Sequence, residues 1–408
     1  MGTTALLALV AAACGGAGSV VGGPSTTLLA GPTESTPAPA GATTTIIREE
    51  AILSPELASV TSAWETDFSV RSIELDELLI GIPARDPRDA IPPLDLPTFE
   101  TVGSADEWLS GQEPGVVVTF EGEARFYPLS ILSRHEIVND RFGDRPVVVT
   151  YCPLCNTALA FDPTVDGEVL RFGVSGLLRK SDLVMWDDRT QSLWQQITGE
   201  AIVGELTGTK LATVSSAIVR WADFRDGNPS GAVLSRDTGY GIRYGANPYV
   251  GYTSRSAPYA TFFRGEIDDR FPALERVVGV SVEGGDKAYP FSLLSQVRVA
   301  NDIIGGQAVT VWWGAADTAD ALDSVDVAAG QAVGTGVAYI ATLDGGVLEF
   351  EPAGDELFAD LQTGSVWTIL GRAIEGPLSG RQLQIAAHRN EFWFAWQAFF
   401  AGAPVWGG

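Results

Sequence analysis

Between residues 116 and 127 the chain reads VVVTF, then EGE, then ARFY, which is two apolar-rich runs on either side of a polar turn. This predicts two short strands in a hairpin. Pro128 follows, placed for the first turn of a helix, where its missing N–H costs nothing. The spacing predicts a helix over 129–140, with Ile131, Leu132, His135 and Val138 on one face. Residues 141–145, with Gly143, turn the chain into a predicted strand over 146–151. That strand is apolar except at Thr150 and so is expected to be buried on both faces. Short strands separated by turns continue through FDPTVDGEVLRF and LVMWDDRTQSLWQQ, where Asp-Asp-Arg-Thr suits a hairpin.

The same pattern returns later. Residues 278–313, VGVSVEGGDKAYPFSLLSQVRVANDIIGGQAVTVWW, run in register with 116–151 and share Glu-Gly, Tyr-Pro and Asn-Asp at matching places. DDRTQSLWQQITGEAIVGELTG (187–208) then matches DLQTGSVWTILGRAIEGPLSG (360–380), and RWADFRDGNP (220–229) matches AWQAFFAGAP (395–404). Three matching blocks in one order imply a duplication. The expected fold class is α+β and β-rich, two tandem degenerate copies of one unit of β-hairpin, short helix, strand and further hairpins. The first copy is placed at 111–262 and the second at 263–408. A lead-in occupies 46–110, with a short helical part and an irregular proline-rich stretch at 82–97.

Composition narrows the setting. The 408 residues carry a formal charge of −25, which repels nucleic acid and anionic lipid and excludes both as partners. The N-terminus reads ALLALVAAAC, ending at Cys14 after small residues, although no basic residue precedes it. This predicts a lipoprotein-like signal at 1–14 with lipidation at Cys14. A flexible Gly/Ser/Thr/Pro tether is expected at 15–45. No later stretch is long and apolar enough to span a bilayer. The expectation is an exported protein, lipid-anchored on the outer face of a bacterial membrane, at the cell surface or in a periplasm. It would touch membrane only through that lipid, and its protein partners are not legible.

The candidate chemistry lies in TYCPLCNTALAF, residues 150–161. Cys152 and Cys155 could form a disulfide, a redox couple or half of a metal site. The second copy has Gly314 where the first has Cys152 and Val297 where it has His135, so the repeated fold does not require these residues. A CxxC disulfide closes too small a loop to stabilise much. A thiol–disulfide redox protein, with Cys152 and Cys155 catalytic, would need a lowered thiol pKa. Redox CxxC pairs usually open a helix, whereas NTALAF reads as a turn into a strand. Thiolates select soft ions, and the leading expectation is a soft transition metal, copper before zinc.

Further metal ligands are proposed at His135 and Met185, with Asp182 and Asp187 as secondary oxygen donors. His135 is one of two histidines and Met185 the one methionine besides Met1. On the predicted elements His135 sits about 7–8 Å from the helix end and Cys152 about 20 Å into the strand, an axial mismatch of about 12 Å. Arg179, Lys180 and Arg189 are basic groups that could lower a thiol pKa or hold an anion. A non-catalytic module with a ligand- or protein-binding pocket between the copies, lined by the FWFAW stretch, is the third reading. Ser175 lacks the G-x-S-x-G context of a hydrolase nucleophile, and no phosphate loop, dinucleotide fingerprint or HExxH is present.

YPLSILSRHEIVND, VVVTYCPLCNTA, FGVSGLLRKSDLVMWDDRTQSLWQQITGEAI and the late FWFAWQAF resemble the bacterial and archaeal family catalogued as domain of unknown function 3179. The resemblance covers about residues 75–408. It implies an exported protein, often lipid-anchored, and implies no activity.

Overall fold

The apolar run at 116–120 pairs as expected in a computed structural model of the chain. Strand Pro114–Phe120 lies antiparallel to Glu123–Pro128, and Pro128 begins the helix Leu129–His135. The structure describes residues 44–408 apart from Glu121, Ala316, Asp355 and Gly408. The expected signal, the lipidated Cys14 and all but the end of the tether therefore lie outside the described residues.

The helix is shorter than its periodicity predicts, which corrects the 129–140 assignment. Glu136 takes a left-handed backbone, φ 58°, and its N–H closes on the Leu132 carbonyl, so the helix stops after two turns. From Ile137, β-branched residues favour a strand, and Ile137–Phe142 pairs with Arg145–Cys152 across the tight turn at 143–144. Gly143 sits at φ 56° in that turn, a conformation glycine adopts without steric cost. Val138 is buried as expected, but from a strand.

Strand Arg145–Cys152 is central in a four-stranded sheet between Ile137–Phe142 and Thr157–Asp162, with Ala212–Val214 at the far edge. A five-stranded sheet holds Pro114–Phe120 between Ser216–Arg220 and Glu123–Pro128. The lead-in contributes the helix Pro55–Thr61, capped by the Ser54 side chain, and short strands that extend a seven-stranded sheet. That sheet contains the hairpin of Phe172–Arg179 with Asp182–Asp187, followed by Leu193–Gln195. Among the described residues, helix occupies 12% and strand 40%, a β-rich α+β architecture.

Later in the chain the element order is similar. Arg276–Val282 pairs with Gly285–Pro290, the helix Phe291–Val297 follows, and Val299–Ile304 pairs with Gln307–Gly314. Local contacts also correspond. Tyr127 donates to Asp140 at 2.6 Å and Tyr289 to Asp302 at 2.8 Å. Trp194 donates to Asp187 at 2.9 Å and Trp367 to Asp360 at 3.0 Å. Thr190 and Thr363 each bond the same aspartate and a serine two residues on, Ser192 or Ser365, at 2.7 Å. Thr190→Val and Thr363→Val should each lower stability by about 1–2 kcal/mol, to a similar extent, in urea denaturation.

The two parts of the chain share apolar packing. Phe392, Phe394, Ala321 and Leu322 belong to the same core as Cys152, Cys155, Leu154 and Phe161. The tryptophans of FWFAW, Trp393 and Trp396, are fully buried and pack with Val277 and Ala288.

Candidate metal centre

Two hairpin tips meet at the site. The first is the four-residue turn after strand Arg145–Cys152. Cys152 pairs with Thr157 at the mouth of that hairpin, and Asn156, at φ 56°, turns the chain into Thr157–Asp162. Pro153 and Asn156 close the turn through an N–H···O bond of 3.2 Å. The residues after the pair form a strand and not a helix, as NTALAF suggests. The second tip is the two-residue turn of Lys180 and Ser181, both at positive φ, 51° and 68°, closed by the pair Arg179 and Asp182. Positive φ at both turn positions suits a tight hairpin, yet neither residue is the usual Asn or Gly.

Together the tips gather Cys152 Sγ, Cys155 Sγ and a carboxylate oxygen of Asp182, all within 4.8 Å of one another. The Ser181 carbonyl lies 3.4 Å from Cys155 Sγ and 3.8 Å from Cys152 Sγ. No disulfide joins the cysteines. Exposure is 2% at Cys152 and 0% at Cys155 and Asp182. The sulfurs are sealed from solvent but face donor atoms.

The electrostatics are those of a buried acidic pocket. Burial raises the thiol of Cys152 and raises that of Cys155 well above its ordinary value, with Asp182 adding to both. Burial pushes Asp182 up to about 6, against hydrogen bonds from the Gln195 amide at 2.6 Å and the Ile197 N–H at 3.0 Å, both to Oδ2. Asp182 Oδ1 has no well-formed hydrogen bond. Glu136, at the left-handed helix end, is also buried. It accepts from Tyr249 at 3.2 Å and is pushed up to about 7 by burial, with Asp182 a further cause.

The remaining expected residues lie elsewhere. Both ring nitrogens of His135 are taken. Nδ1–H donates to the Pro92 carbonyl at 2.6 Å, which leaves Nε2 to accept from the Tyr244 hydroxyl at 2.6 Å. Met185 is three residues from Asp182, roughly 10 Å along the strand, and is fully buried opposite Val174 and Trp194. Asp187 accepts from Arg189 N–H, Thr190 and Trp194 within its own turn. The basic groups are engaged as well. Arg179 pairs with Glu77, Arg189 with Glu168, and Lys180 donates to the Ala398 carbonyl at 3.0 Å. Asp182 was legible only as a secondary donor, and Glu136 carried no signal at all, being one polar residue after a helix.

The arrangement offers two thiolates, one carboxylate and a nearby carbonyl, which is a possible metal-binding site of Cys152, Cys155 and Asp182. A cation there would favour deprotonation of groups that burial otherwise holds protonated. Neither a curated protein nor a solved structure matches the chain. The pattern of one sequence family matches residues 88–403, most of the chain, so the protein belongs to the family described as Protein of unknown function (DUF3179).

Proposed function

We propose that this is an exported, Cys14-anchored protein built from two tandem copies of one unit, whose first copy holds a divalent metal between Cys152, Cys155 and Asp182. The observation that carries the metal reading is the convergence of two free thiols and a buried carboxylate, one oxygen of which lacks a well-formed hydrogen bond. A buried polar atom without a partner calls for an ion, a water or a proton. The oxygen donor moves the preference from copper toward zinc, because copper(I) favours sulfur alone whereas zinc accepts cysteine and carboxylate together. Burial suits a metal that is retained rather than passed on, since release requires one of the two hairpin tips to open. Dithiol redox work is disfavoured by the raised thiols and by the absence of a helix start at the pair.

Purification of the full chain without oxygen, zinc loading and elemental analysis test the reading. About one zinc per chain is expected, with thiolate charge-transfer absorption on cobalt substitution. Asp182→Ala should weaken zinc binding by about 100-fold, while the volume-conserving Met185→Leu leaves it unchanged. Sub-stoichiometric metal, or equal affinity in Asp182→Ala, overturns the assignment.

A further inference from the structure

A half-open crevice lies where the early and late parts of the chain meet, with a cavity volume of about 30 Å³. Its walls are largely apolar, with Leu129 and Phe291 among them, and its polar groups are Asn156, Arg276, Thr318 and Asn390. Apolar walls with a few convergent polar groups characterise small-molecule sites. The crevice touches the thiol centre only through Asn156, the residue after Cys155.

Three features bear on its occupant. Asn390 is 6% exposed and its Nδ2 donates to the Gly336 carbonyl at 3.1 Å, which leaves Oδ1 buried without a donor. The Arg276 guanidinium is held from one side by Asp320 at 2.7 Å and lies over the Phe392 ring at 5.5 Å. The Asn156 side chain makes only long bonds, 3.5 Å from its Nδ2 to the Asn390 carbonyl and 3.5 Å from the Tyr151 hydroxyl to its Oδ1.

We propose that the crevice binds a small zwitterionic α-amino acid, its carboxylate on Arg276 and its ammonium on Asn390 Oδ1. The Arg276–Asp320 pair carries no net charge, so an electroneutral zwitterion matches it, whereas a lone anion would meet the Asp320 carboxylate beside the guanidinium. An ammonium supplies the donor that the orphaned amide oxygen lacks. The limited volume restricts the side chain to hydrogen, methyl or hydroxymethyl. This site does not depend on the metal.

Calorimetric titration of the full chain with glycine and with L-alanine tests the proposal. Saturable binding is expected, with acetate and methylammonium, each presenting half of the zwitterion, at least about 10-fold weaker. Arg276→Gln should weaken glycine about 10–100-fold. Arg276→Lys keeps a charge opposite Asp320, so the chain stays folded, and should lose about 10-fold because the forked contact is gone. Failure of both amino acids to saturate by about 10 mM, equal binding of acetate, or unchanged affinity in Arg276→Lys overturns it.

Discussion

Replacing Cys152 and Cys155 together by serine should abolish stoichiometric zinc binding, weakening it by at least about 10⁴-fold. Zinc sites of this kind contribute roughly 10–16 kcal/mol of apparent binding free energy. Removing two of three anionic ligands loses about half, or 5 kcal/mol and more, which is close to four powers of ten in affinity. A linked effect on unfolding is expected. At zinc about a thousandfold above the dissociation constant, the metal stabilises the native chain by roughly 4 kcal/mol, and the double variant should lose all of that increment. Without zinc the two proteins should differ little, since serine and cysteine are close in volume and burial keeps the thiols neutral. Thermal unfolding with and without zinc reads both effects. A zinc-dependent shift that persists in the double variant would place the metal elsewhere.

The metal-free protein should be less stable at about pH 8 than at about pH 5, by about 3 kcal/mol or more. Three buried glutamates contribute most of this, and Asp182, raised from 3.8 to about 6 by burial, adds to it at the acidic end of the interval. Burial pushes Glu113, Glu136 and Glu391 each from 4.5 up to about 7. Ser130 donates to Glu113, Tyr249 to Glu136, and Arg389 pairs with Glu391 at 3.0 Å, but desolvation outweighs each partner. A carboxyl with a raised native pKa binds protons more tightly folded than unfolded. Its contribution is complete below 4.5 and is lost as pH rises through 7. His388 opposes the trend. Burial lowers it from 6.5 to about 4, so its contribution grows as pH rises through that interval. One histidine does not offset three carboxyls, and above pH 6.5 it no longer changes. Urea titrations at both pH values measure the difference, and Glu113→Gln should reduce it by about a third. Stability that rises between pH 5 and 8 would show that these carboxyls are ionised in the native state.

Much of the architecture was legible because strand and turn chemistry is local. The two apolar-rich runs at 116–127, Pro128 before a helix and the Asp-Asp-Arg-Thr turn each predicted elements present in the structure. The helix end was not legible. Helices usually stop at Gly or Asn, whereas here Glu136 takes the left-handed position and Arg298 does the same after the later helix, φ 66°. With the helix ending at His135, the five further helical residues that would separate it from the following strand are absent, and its position relative to Cys152 changes accordingly. The CxxC was visible as a pair on a turn, but its partner comes from a hairpin almost thirty residues on. Nothing in SDLV announces that Asp182 faces sulfur; only the pairing of Arg179 with Asp182 around Lys180 and Ser181 brings it there.

The Cys155 carbonyl accepts the Phe392 N–H at 3.0 Å, and strand His388–Phe392 lies beside Arg276–Val282. The turn that presents the sulfurs is thus pinned by a strand made long after it. A nascent chain halted before residue 388 would leave that turn unlatched, so loading must await synthesis through Phe392.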